Sequence, residues 1–363
     1  MKKIILIIFM FLLLCGCGKT SNEDIVEKFK NKIEKTNSYI LKGTMSISSN
    51  EETFTYNVVA SKSKDNYYKI SLINKTNDHE QVILKNADGV YVVTPDLNKS
   101  FKFQSDWPNN GSQSYLLDIL VNDVKNDTEL HIENNSDEKF IQCKVNYPNN
   151  SNLYSEKIYL DNDYGVEKVE VLDQDGKVKI LLEIKSIDYK PKFDENYFAL
   201  ESYIKTESDE NKTNEETNNS NEIKNNNEST NTEQNESNEE TENTSNILED
   251  IIYPLYVPEN THLSTEDTIS TDNGNRAILT FAGEKPFIVV EEVSKKYDYL
   301  EVIPINGDPV MMSDSIGAIS ANSLYWSSDG IDYYISSTSL DGEELMTIAE
   351  GLTGTSIIVS SEK

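Results

Sequence analysis

The chain has 363 residues and carries 33 Lys and Arg against 63 Asp and Glu, a formal charge of −30. That balance excludes a nucleic-acid binder or a protein held electrostatically on anionic headgroups, because both need a basic contact surface. The length favours two domains, and with hydrophobic residues at 37%, part of the chain is expected to stay outside any packed core.

The charge is unevenly spread, and this marks the boundaries. Residues 206–246 hold 12 acids against 2 lysines, whereas residues 19–205 hold 31 acids against 24 lysines. Residues 247–363 hold 20 acids against four lysines and Arg276, which is the sole arginine of the chain. Bidentate clamps for phosphate or carboxylate are therefore scarce.

Lys2 and Lys3 precede an apolar run from Ile4 to Leu14. Eleven helical residues rise about 16 Å, short of the ~30 Å hydrocarbon core, so the run reads as a signal peptide rather than a span. Leu14-Cys15-Gly16-Cys17 follows and resembles the bacterial lipobox. The resemblance implies that residues 1–16 are removed and that Cys17 receives a diacylglycerol thioether. Residues 17–20 would then form a lipidated N-terminus, anchored by acyl chains such as palmitate to the outer face of the cell membrane. Two or three chains exceed the threshold for stable anchoring. A plain secretory signal with Cys17 unmodified is the alternative.

With Cys17 so used, Cys143 has no disulfide partner and reads as a small buried apolar residue. His79, His131 and His262 are scattered and form no catalytic motif with it.

Residues 21–201 predict a helix and then a curved antiparallel sheet. Ile25, Val26, Phe29 and Ile33 form one helical stripe, with Ser21 or Asn22 as N-cap. The period then becomes two: Phe54, Tyr56, Val58 and Ala60 alternate with polar residues, as do Tyr68, Ile70 and Leu72. Val82 and Leu84 lead through Asn86-Ala87-Asp88-Gly89 into Val90–Val93. Residues 112–120 predict a short helix. Strands follow at 129–132, 140–145, 157–160 and 166–172, and Asp173-Gln174-Asp175-Gly176 turns into Val178–Ile184. Eight or nine strands of this kind must curl to hide their apolar face, with helices covering the hollow side.

The amphipathic helix, the meander containing Gly89-Val90-Tyr91-Val92-Val93-Thr94-Pro95-Asp96, and its end at Phe193-Asp194-Glu195-Asn196-Tyr197-Phe198-Ala199-Leu200 resemble the LolA-like lipoprotein-carrier superfamily. The resemblance implies an incomplete antiparallel β-barrel with helices over its concave face, able to receive acyl chains. The expected lining is Phe54, Tyr56, Val58, Tyr68, Ile70, Val92, Ile180 and Leu182, a set equally compatible with a plain core. Two features depart from the soluble carriers. This domain has no arginine to latch a lid, and a tether at Cys17 precludes diffusion between membranes.

Residues 202–247 read as a disordered linker, since 206–246 contain thirteen Asn and twelve acids with Ile223 as the sole large apolar residue. Such a spacer is expected to keep the distal domain extended and off an anionic membrane. Residues 248–363 predict a small α+β domain. An extended lead-in at 252–260 precedes strands at 277–281, 287–293, 323–326 and 331–336, and a helix opens at Asp341 with a capping box to Glu344. Its Trp326, Tyr333 and Leu345 read as core residues. This half resembles an extracytoplasmic domain of unknown function that accompanies LolA-like sporulation lipoproteins in Gram-positive spore formers, and the whole resembles the two-domain RseB-like regulators.

No phosphate loop, serine elbow, Cys-x-x-Cys or metal cluster is present, so neither an enzyme nor a cofactor is expected. Asp161-Asn162-Asp163-Tyr164-Gly165 starts like a calcium loop but lacks the distal Glu and reads as a hairpin turn. The expected function is a non-catalytic, membrane-anchored lipoprotein binding acyl chains or lipid, in sporulation, germination or envelope regulation. The alternative is a regulator that docks an envelope protein, such as a cell-wall amidase or an anti-sigma factor, with its barrel packed.

Overall fold

The computed structural model describes residues 21–49, 52–136, 138–204, 248, 250–271 and 274–352. The signal segment, Cys17 and nearly all of the 202–247 linker lie outside the described residues.

Helix α1 spans Asn22–Glu34. Ser21 caps it by accepting from the Asp24 amide, while the Asp24 carboxylate returns to the Ser21 N–H. Thirteen residues are marginal as an isolated helix. What fixes α1 is burial of Ile25, Phe29 and Ile33, each contributing about 1.5–3 kcal/mol.

Six strands then form a meander: β1 (Tyr39–Ser49), β2 (Glu52–Lys62), β3 (Tyr68–Asn74), β4 (Glu80–Asn86), β5 (Gly89–Thr94) and β6 (Lys99–Phe103). After helix α2 (Leu117–Asn126) come β7 (His131–Asn134), β8 (Lys139–Lys144), β9 (Ser155–Leu160), β10 (Val166–Leu172) and β11 (Val178–Asp188). The last strand returns beside the first, giving the order β6-β5-β4-β3-β2-β1-β11-β10-β9-β8-β7 in one open sheet. One face carries α1 and α2 over a continuous core. The opposite face is covered along β4 and β5 by Phe193, Tyr197 and Phe198, which pack on Val82, Leu84, Tyr91 and Val93.

The second half contains β12 (Thr261–Thr271), β13 (Gly274–Gly283), β14 (Phe287–Val293), β15 (Glu301–Ile305), β16 (Asp308–Met311), β17 (Ile316–Ile319), β18 (Ser323–Ser328), β19 (Ile331–Ser337) and helix α3 (Gly342–Glu350). Seven of these strands form a second sheet ordered β12-β13-β14-β19-β18-β17-β16. The α3 capping box forms as expected, with Asp341 accepting from the Glu344 amide. Trp326, Tyr333 and Leu345 are all buried in the core beneath it.

Several elements differ from the sequence reading. Strand β1 was not anticipated, nor were β6, β12, β15, β16 and β17, and α2 begins five residues later than the expected 112–120 helix. The two halves are directly joined. Strand β15 leaves the second half and pairs in parallel with β6, from Glu301 beside Lys99 to Ile305 beside Phe103. The first sheet thus has twelve strands, and Ile316 and Ala318 of β17 enter its core. A polar spacer sets only the maximum separation of its ends, and apolar burial between the two halves decides the actual one.

Candidate binding cleft

Seven of the eight expected lining residues lie together on the helix face of the first sheet. Tyr56, Val58, Tyr68, Ile70, Val92, Ile180 and Leu182 are buried in one cluster with Phe29 and Ile33 of α1 and Leu117, Leu120 and Val124 of α2. Phe54 is only partly buried and packs against that cluster from its margin. The two tyrosine hydroxyls are already engaged. Tyr56 donates to the Ser313 carbonyl at 2.8 Å, and Tyr68 donates to Asp118 at 2.7 Å while its ring meets the edge of Trp107. Asp118 also accepts from Tyr39 and pairs with Lys62 at 3.2 Å. The chain's own helices thus occupy the space over these residues.

A cleft of about 610 Å³ opens instead where the two halves meet. Its apolar walls are Ile47 from the end of β1, Leu153, Ile180 of β11, and Val310, Met311, Met312 and Ile319 from the second half. Methionine suits such a wall, because an unbranched thioether adapts to differently shaped partners. Around it stand the amides of Asn110, Gln113, Asn149, Asn150, Asn152 and Gln174. Each amide offers both a donor and an acceptor, the complement of a peptide backbone. Asp173, Asp175, Asp308 and Glu350 line the cleft against Lys179 alone among the bases. Burial raises the Glu350 carboxyl above its usual value, opposed by Lys179.

Of this lining, the sequence points to Ile180 as a ligand contact and to the 173–176 segment only as a turn. The rest comes from separate segments, each unremarkable alone, so no local pattern pointed to the cleft.

A buried polar lock joins the two halves. Lys99 of β6 donates to Asp332 of β19 at 2.7 Å, and both side chains are almost wholly inaccessible. Ser294 and Ser327 donate to the other carboxylate oxygen at 2.6 Å, and Lys99 also bonds the Tyr325 hydroxyl. Burial alone would raise the Asp332 carboxyl, but Lys99 and these hydroxyls hold it below its usual value. The Ile316 amide donates to Gln81 at 2.7 Å, and the Tyr297 amide to Leu97 at 3.0 Å.

A second polar group lies under α2. Burial raises the Asp123 carboxyl to about 6 and pushes Glu156 well above its usual value, where the nearby Asp123 charge adds to the effect. The Cys143 thiol donates to Glu156 at 3.6 Å and is itself pushed far upward by burial. Cys143 is therefore a poor nucleophile and fills a buried position, as its sequence context implied. His131 in the neighbouring strand stands opposite Gln142 rather than Cys143. Asp161–Gly165 forms the β9–β10 turn, where the Asp161 carboxylate accepts from the amides of Asp163 and Gly165. Among the described residues no three His, Cys, Asp or Glu side chains gather to hold a metal ion, and no helix is long and apolar enough to cross a membrane.

A family model described as "Sporulation protein YdcC-like" matches residues 1–198. Sporulation protein YdcC of Bacillus subtilis (strain 168) is 34% identical over 346 residues, covering 95% of this chain and 94% of its own. Solved structures with likeness at lower levels include the Pseudomonas aeruginosa MucA/MucB complex. There the match is 11% identical with a TM-score of 0.32, over 88% of this chain and 95% of that one. A chain of the Clostridioides difficile complex of the CwlD amidase with the GerS lipoprotein is 17% identical with a TM-score of 0.28, over 47% of this chain and 98% of its own. A LolA superfamily protein from Nitrosomonas europaea is 11% identical with a TM-score of 0.29, over 49% of this chain and 98% of its own.

Proposed function

The chain belongs to the YdcC-like sporulation protein family, and from that premise we propose that it is an exported, membrane-anchored lipoprotein that acts by binding an extended segment of an envelope protein in the cleft between its halves. Cys17 is the lipid anchor in this reading, placing the protein at the outer face of the cell membrane. The observation that carries the binding role is the cleft itself, with apolar walls for side-chain anchors and six amides for backbone hydrogen bonds. A cleft of several hundred Å³ suits a short stretch of chain or a small ligand. The filled helix face of the sheet favours this site over a hollow barrel.

The apolar wall of Leu153, Ile180, Met311 and Met312 favours one second reading, in which the same cleft takes an acyl chain or lipid. One experiment separates the two. A photo-reactive amino acid replaces Met311 in the full chain, which is expressed in a sporulating host. Cross-linking to one defined envelope protein, abolished by Leu153→Asp, supports the first reading. A co-purified acyl lipid detected by native mass spectrometry, with no cross-linked protein, selects the second. Neither product would overturn both. Cys17→Ala is expected to move the protein from the membrane to the soluble fraction; retention in the membrane would overturn the anchor.

A further inference from the structure

The loop between β8 and β9 is tied firmly at its root and weakly at its tip. At the root, the Ser112 amide donates to the Asn146 carbonyl at 2.7 Å, and the Asn146 amide donates back to the Ser112 hydroxyl at 2.8 Å. Ser112 is fully buried, and Pro148 packs so closely on Gly111 that a Cβ there would come within 2.4 Å of its ring. At the tip, the Ser151 amide donates to Glu343 at 3.0 Å and Asn149 lies against Gly342, both at the start of α3. The Glu343 carboxylate is exposed, so water competes for this bond and little holds the tip. The tip also parts two cavities. A groove of about 870 Å³, lined by Asn306, Gly307, Tyr325 and Tyr334, adjoins the cleft, and Asn149, Asp308 and Ile319 line both. Asp308 and Ile319 belong to strands β16 and β17, so Asn149 is the part of this partition free of a sheet. Displacing it would join cleft and groove into one channel, a better length for an extended segment.

The root rests on the buried acids under α2. The Ser112 hydroxyl is hydrogen-bonded to Asp123, and Tyr147, next in the loop, feels the charge of both Asp123 and Glu156. Glu156 is wholly inaccessible, and among the described residues neither its Oε2 nor Asp123 Oδ2 has a hydrogen-bond partner. Two carboxylates placed in this way tolerate one charge between them far better than two. The other titratable groups around them bring no cation: Asp127 at the end of α2, Cys143 on β8, and Tyr115 and Tyr147 in the loops. Strand β10 presents Val171 beside Glu156. The lysines nearest in sequence are engaged elsewhere, Lys125 by Glu34, Lys144 by Glu129 and Lys157 over the Phe140 ring.

We propose that residues 146–153 form a gate between the cleft and the groove, closed while the Asp123–Glu156 pair keeps a proton and released when both acids are charged. Charging both draws water between α2 and β9 and displaces Ser112, which carries the Asn146 tie with it. The weakly held tip then leaves α3, and cleft and groove join. Opening hydrates the acids and lowers their hold on protons, so the equilibrium moves toward the open loop as pH rises. As regulation of the cleft, the gate rests on the cleft being the binding site. Its motion is read without any ligand, so a gate that moves while Met311 yields no cross-link would fault the binding reading alone.

The test follows hydrogen exchange of the ligand-free full chain by mass spectrometry from about pH 6 to about pH 9, as protection factors against the unfolded rate at each pH. Protection at 146–153 is expected to fall by about tenfold or more over this range, while β2 and β3 keep theirs. Glu156→Gln leaves Asp123 alone, already charged above about 6, and is expected to flatten the fall. Asp123→Asn keeps an acceptor for Ser112 but removes the second charge, and is expected to make the fall smaller. If Glu156→Gln does not fold, Asp123→Asn decides. Glu343→Ala frees the tip and is expected to lower protection at 149–152 at every pH. Loop protection that does not change with pH, an equal fall in the parent and both acid variants, or a fall shared by β2 and β3 would each overturn the proposal.

Discussion

Lys99 and Asp332 are nearly inaccessible, and each would be costly to bury alone. Removing the lysine leaves a carboxylate with only Ser294 and Ser327 as donors. Lys99→Met is therefore expected to lower unfolding free energy by about 3–5 kcal/mol, read by denaturant titration. Asp332 has a folded pKa below its unfolded value, so its contribution is present above the unfolded value near ~3.9 and is lost as pH falls through the lower folded one. Lys99→Met should abolish that acid-side loss. Glu291 behaves oppositely. It is fully buried, accepts from the Ile252 amide at 3.0 Å, and burial raises it to about 7. The folded state then holds its proton longer than the unfolded state, so stability falls as pH rises from ~4 toward 7. Glu291→Gln is expected to flatten this slope and to be more stable than the parent above neutral pH by about 1–3 kcal/mol. Adjacent residues of a strand face opposite sides, so Glu291 and Glu292 point apart. The structure turns Phe287, Val289 and Glu291 inward on one side of that strand. The Lys99–Asp332 pair was not legible in the sequence, because its partners lie 233 residues apart.

Elements with local signals were read correctly. The caps of α1 and α3 are satisfied within three residues, so the sequence shows them directly. The hairpins turning at Asn86–Gly89 and Asp173–Gly176 likewise depend on residues adjacent in the chain. Strand β1 escaped notice although Tyr39, Leu41, Met45 and Ile47 alternate, because Gly43 leaves a gap in the apolar row. That glycine is there for contact with the next strand. It lies at a bulge against β11, and a Cβ would come within 2.5 Å of the Glu183 carbonyl oxygen. Gly43→Ala is expected to cost about 1–3 kcal/mol by displacing β11, seen as a lowered denaturant midpoint, whereas Ser46→Ala in the same strand should be nearly silent. Strands β6 and β15 are only five residues each, too short for a period to register. β15 is a strand because β6 supplies its hydrogen bonds, while β6 is also paired on its other side with β5.

The whole molecule departs most from its sequence pattern. Composition divides it at the linker, yet the two halves share a sheet, a core and a buried ion pair. A protease site inserted within 206–246 tests this coupling. After cleavage the fragments are expected to co-elute by size exclusion and to unfold in one transition, whereas separate elution would show that the shared sheet does not hold them. Lys99→Met in the cleaved protein should loosen the pair and split the transition.

The sequence alone determined the acidic, Asn-rich composition of 206–246, the capped helices, most strands and the mainly β character. Each of these rests on residues within one or two turns of one another, where period, caps and charge act locally. Only the tertiary structure decided that the expected lining residues sit beneath the chain's own helices, that β15 completes the first sheet, and where the cleft opens. Those outcomes depend on which apolar surfaces bury one another across long separations, and burial energy carries no trace of chain order. Most of the −30 charge is shared between the spacer and a distal half that packs back on the proximal one.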